Sequence, residues 1–127
     1  MTRHTNRVIR KVRGAIAAGR GAWWAYWAVR TTRRRLRAEG VICFMLAPPP
    51  ALPASADRGL GLVLRRLQPS CLERALVLQS WLRARGRDHD VVIGVARTDS
   101  EFRAHAWLDV EAPSRGVGFR EITRIAP

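Results

Sequence analysis

The sequence predicts an α+β domain: a helical N-terminal half, then one further helix packed on a small antiparallel sheet. Three observations carry this. Apolar residues recur at spacings of three and four through residues 7–38. The string "PSCLERALVLQSWLRARG", residues 69–86, opens with a helix-start signature and ends on glycine. After it come "VVIGVAR" and "RAHAWLDV", a β-branched run and an alternating run that read as strands.

The chain has 127 residues. That suits one domain, 1–127, able to bury about 65% of its unfolded surface. Within it we distinguish a basic, Trp-rich helical arm (1–46), a Pro-rich connector (47–53) and a core (54–127).

In the arm, Val8, Val12, Ala15 and Ile16, then Trp23, Tyr26 and Trp27, mark one or two amphipathic helices, with Gly19 and Gly21 as a break. The cluster Trp23, Trp24, Tyr26 and Trp27 spreads over more than one helix face. "APPPALP" is incompatible with helix and makes a stiff connector. Asp57 is placed to cap a helix running to about Gln68, with Leu60, Val63, Leu64 and Leu67 on one side, Gly59 and Gly61 weakening its start and Pro69 ending it.

Ser70-Cys71-Leu72-Glu73 matches the S-x-x-E capping box, so Cys71 falls at the first helical position. The nearly all-round apolar surface that follows suits a helix packed centrally, and Gly86 supplies a left-handed stop. "VVIGVAR" is typical of a strand covered on both faces. His105, Trp107 and Asp109 share one face of the next strand, 103–110, and "GVGFREITRI" reads as a third strand after a turn. A hairpin centred near Pro113 would place Glu121 opposite His105.

Net charge is +13. Residues 1–40 hold 11 Lys/Arg against one acid. Such a segment attracts polyanions, whether nucleic acid, an anionic membrane face or an acidic protein, and is equally read as a solvated helical face. The run "GAIAAGRGAWWAYWAV" is too short and interrupted for a membrane span, so we expect no signal peptide and no stable membrane insertion. Cys43 and Cys71 stand in neither a C-x-x-C nor a His-spaced pattern; neither a metal site, a cofactor nor a disulfide framework is encoded, and a cytoplasmic location fits.

A thiol at a helix N-terminus meets the positive end of the peptide dipoles and unpartnered N–H groups, which favour thiolate. A helical cysteine is also an ordinary small core residue. His105, alone among the histidines, lies inside a strand, flanked by alanines, where it can take a thiol proton; His4 and His89 fall in the arm and a loop. Helix cysteine, strand histidine, then an acid on the neighbouring strand is the chain order of papain-like and transglutaminase-like sites. Glu121 is the preferred acid. Asp109 ranks second, because four residues of strand span about 13 Å.

"CLERALVLQSWLRARG", "DVVIGVA" and "FRAHAWLDV" together resemble the stand-alone leader peptidases of lasso-peptide biosynthesis, in the transglutaminase-like cysteine hydrolase group. The resemblance covers about residues 48–127 and is most specific at Cys71-Leu72-Glu73-Arg74 and His105-Ala106-Trp107. It implies Cys71 as nucleophile and His105 as base, with the third residue departing from the family's usual aspartate. It implies a precursor peptide, a separate winged-helix-like leader-recognition protein and a lasso cyclase as partners. Trp107 then shields the imidazole, walls the substrate site or simply packs, and the basic arm with Trp23, Trp24 and Trp27 becomes a docking surface for the recognition protein. Acyl transfer by the same dyad is one alternative; a small nucleic-acid-binding protein using residues 1–40, or a membrane-surface protein using the tryptophan-rich helix, are the others.

Overall fold

The structure, a computed structural model, describes residues 2–39, 46–111 and 117–127. Cys43 and the turn around Pro113 lie outside the described residues. Three helices, α1 (Thr2–Glu39), α2 (Asp57–Leu67) and α3 (Cys71–Arg83), precede an antiparallel sheet of β1 (Val91–Thr98), β2 (Glu101–Leu108) and β3 (Arg120–Ile125). The fold class and the order of elements are those the sequence predicts.

Two buried clusters meet at α3. Ala17, Ala25, Ala28 and Val29 of α1 join Leu60 of α2 and Val77 and Trp81 of α3. On the other side, Ala75 and Leu76 of α3 pack with Val91, Ala106 and Leu108 of the sheet. The central helix therefore has helices on one side and strands on the other, which accounts for its nearly all-round apolar surface.

Helix α1 runs unbroken through Gly19 and Gly21. A Cβ on Gly21 would lie 2.5 Å from the carbonyl oxygen of Ala56 in the single 3-10 turn before α2, and one on Gly59 would collide with the backbone of Ala18 and Ala22. Glycines expected to interrupt α1 and weaken α2 are instead the points where the two helices touch. Because the obstacle at Gly59 is backbone, Gly59→Ala is expected to destabilise by about 3 kcal/mol, at the upper end of overpacking effects. That corresponds to a fall in Tm of roughly 10 °C; a melting curve matching wild type would disprove the close approach.

From Ala17 onward, one face of the segment read as an arm belongs to the core. Trp24 lies 5.4 Å from Trp81, ring to ring, and its indole N–H donates to the Ala47 carbonyl. Asp57 does not cap α2, whose N-cap is Ala56 without a side-chain bond. Its carboxylate accepts the buried Trp81 indole N–H at 2.8 Å and pairs with Arg85 at 3.1 Å. An indole donor taken from water needs such an acceptor, and that need outranks capping.

The strand order is β2-β1-β3. Val91 and Val92, on opposite faces of β1, are both buried, as a doubly covered strand requires. The expected pairing of β3 with β2 is not formed: β3 pairs with β1. β1 is apolar on both faces, so the central place buries it best and leaves the more polar β2 and β3 at the edges.

Candidate active site

Both halves of the capping box are present. Ser70 Oγ accepts the Glu73 N–H, and Glu73 Oε1 accepts the Ser70 N–H at 3.0 Å. This fixes the start of α3 and sets Cys71 as its first residue, with a free, half-buried thiol. Its neighbours are the apolar residues around Ala75 and Leu76.

Glu73 has a second role that sequence reasoning missed. Its carboxylate also accepts Arg33 Nε–H, at 3.0 and 3.2 Å to the two oxygens, and Arg33 Nη2 donates to the Leu67 carbonyl at 2.9 Å. One α1 side chain thus fastens the beginning of α3 to the end of α2. The buried acid calls for a cation, but with 11 basic residues before position 41 the sequence does not single one out. On the sheet side, Arg74 pairs with Glu111 at 2.8 Å, and Glu111 accepts the Leu108 N–H at 3.1 Å. The first turn of α3 is held to the end of β2 as well.

His105 stands on β2 opposite Gly94. Side chains alternate along a strand; Ala106 and Leu108 face α3, so His105 and Trp107 face the other side. There the imidazole stacks on Trp107, centroids 5.7 Å apart, and lies 5.1 Å from Phe119. Trp107 is buried because its ring covers Gly94, where a Cβ would come within 2.6 Å of it. It packs between Gly94, the imidazole and Phe119. No hydrogen bond joins Cys71 to His105, and the sheet stands between them.

Neither candidate acid reaches the imidazole. Glu121 lies opposite Gly94, two strand spacings or about 10 Å from the His105 backbone. It is bonded to Arg124, which holds its carboxyl below the usual carboxylate range. Asp109 has left the strand for a 3-10 turn, where its Oδ1 is 2.8 Å from His89 Nδ1 and its Oδ2 accepts the Asp90 N–H. Burial works against its ionisation, but the Asp90 N–H and His89 prevail and the carboxyl is held low. His89, read as a loop residue, is therefore the histidine that a carboxylate orients; no local motif announces a partner 20 positions away.

Gln79 donates its amide N–H groups to the carbonyls of His89 and Ile125, at 2.9 and 2.8 Å. Among the described residues no three His, Cys, Asp or Glu side chains converge as metal ligands. An open cleft between residues 49–52 and Trp81 and Arg85 lies at the far end of α3 from Cys71.

Fold and site together define an α+β domain in which a cysteine opens a central helix packed on an antiparallel sheet. The sequence profile of the transglutaminase-like superfamily matches residues 7–114, and the chain belongs to that superfamily. Its members are typically cysteine-dependent enzymes of the protease or acyltransferase type. The match includes Cys71 and His105 and ends before Glu121. No curated protein and no solved structure matches the chain.

Proposed function

We propose that the protein is a cysteine peptidase that releases the leader from a ribosomally made lasso-peptide precursor. The observation that carries this reading is the half-buried free thiol of Cys71 at the first position of a helix whose start is doubly fixed, in a superfamily of cysteine enzymes. The motifs Cys71-Leu72-Glu73-Arg74 and His105-Ala106-Trp107 narrow it to leader cleavage through their resemblance to the stand-alone leader peptidases.

In this mechanism the thiolate of Cys71 attacks the carbonyl carbon between leader and core. The C–N bond breaks as His105 protonates the leaving amine, and water then releases the acid from the acyl-enzyme. The N–H groups of Cys71 and Leu72, which have no partner within the helix, face the developing oxyanion. An amine in place of water would give acyl transfer from the same intermediate. The precursor, the recognition protein and the cyclase are the partners this role needs.

The reading requires His105 to reach Cys71 in the working complex. That takes a repacking of β2 on α3, because Ala106 and Leu108 of the same strand now occupy the face toward the helix.

The test is alkylation of Cys71 followed by intact mass across a pH series, in a Cys43→Ser background, with and without His105→Ala. Loss of the imidazole is expected to slow the reaction at neutral pH about tenfold. Slow alkylation indifferent to His105 would return Cys71 to the role of a small core residue.

A further inference from the structure

Helix α1 carries an exposed apolar stripe that neither the fold nor the proposed chemistry uses. At 100° per residue, Trp23 and Trp27 are each 200° around the helix from Gly21 and Ala25, which are buried against the core. They therefore point outward, at 65% and 47% exposure, whereas Trp24 points inward. Val8, Val12 and Ile16, four residues apart and ending seven residues before Trp23, lie on the same face, and all are more than half exposed. The stripe from Val8 to Trp27 is about 28 Å long. Apolar residues scattered singly over a surface are ordinary; five large ones on one face of a single helix are not.

Its surroundings are cationic, with Lys11 on one side of it. Arg30 and Arg34 prolong the same line beyond Trp27, Arg13 and Arg20 lie along its other side, and no acid occurs between Thr2 and Ala38. Trp23 and Trp27 meet edge to face at 5.8 Å, and Tyr26 receives a hydrogen bond from Arg30. No described helix is long and apolar enough to cross a membrane.

We propose that this stripe docks on an anionic lipid surface, with α1 lying in the headgroup plane and the domain above it. A helix face that presents tryptophan and aliphatic side chains with arginine beside them has the chemistry of that interface. Aliphatic side chains occupy the centre of the stripe, where a nucleic acid would place phosphates. A second copy would bring like charges together, and a protein partner would need an apolar groove walled by acids on all sides. A bilayer containing anionic lipid presents that combination everywhere.

The experiment is co-sedimentation of the full chain with vesicles of phosphatidylcholine containing about a quarter phosphatidylglycerol, against vesicles of phosphatidylcholine alone. The expected result is binding to the anionic vesicles at least about tenfold stronger than to the neutral ones. Ile16→Glu with Trp23→Glu, both at exposed sites and checked for unchanged circular dichroism, is expected to weaken it at least about tenfold. Equal partition to both vesicle types overturns the proposal. So does binding that the double substitution leaves intact, since that is adsorption by charge alone, and so does a chain that ignores vesicles but shifts DNA or binds a purified recognition protein through the stripe.

Discussion

Cys71→Ser is expected to lower leader release from a precursor peptide by about a thousandfold or more, followed by mass spectrometry with the recognition protein present. A hydroxyl in the same place is sterically close, but without the sulfur the attack on the carbonyl loses its nucleophile. Stability should hardly change, because the site is half-buried and the replacement isosteric. His105→Ala is expected to lower release by about 10²- to 10⁴-fold, and the double variant to be no slower than Cys71→Ser, since the two act as a unit. Release that persists in Cys71→Ser would remove the thiol from the mechanism altogether.

Glu73→Ala is expected to destabilise the protein by about 3 kcal/mol, read from the denaturant midpoint. It removes the acceptor for the Ser70 N–H and the partner of Arg33 together, in a largely buried place. Glu73→Gln keeps the side-chain oxygen while losing the charge, and is expected to cost about half as much. A double-mutant cycle with Arg33→Ala should give a coupling of about 1–2 kcal/mol. By contrast Glu121→Ala, whose pair with Arg124 lies in solvent, should leave stability unchanged. If Glu73→Ala behaves like Glu121→Ala, the fastening of α3 to α1 is not real.

What was legible in the sequence was local. The capping box needs only Ser70 and Glu73, three residues apart, and it locates Cys71 at the head of α3. Gly86 takes the left-handed φ of 76° expected of a helix stop. The doubly apolar run at Val91 marks a covered strand. Long-range choices were not legible. The hairpin placing Glu121 beside His105 assumed that consecutive strands pair, whereas β1 claims both neighbours. Gly21 and Gly59 read as a break and a weak start because their value lies in backbone contacts with Ala56, and with Ala18 and Ala22, more than 30 positions away. The tryptophans looked scattered over α1 because one of them, Trp24, belongs to the core and the other two to the surface. Nor does alternation along β2, read alone, say which row faces α3; the packing of Ala106 and Leu108 decides it.

The reach of Arg33, 40 positions back from Glu73, bears on how far the protein can be trimmed. A chain begun at Pro48 would keep Cys71, His105 and Glu121, and on paper it would look like a minimal enzyme. It would also lose the guanidinium that anchors the head of α3, and would uncover Leu60, Val77 and Trp81 where Ala25, Ala28 and Val29 now lie. The shortest stretch that contains the chemistry is therefore shorter than the shortest stretch that can hold it in place.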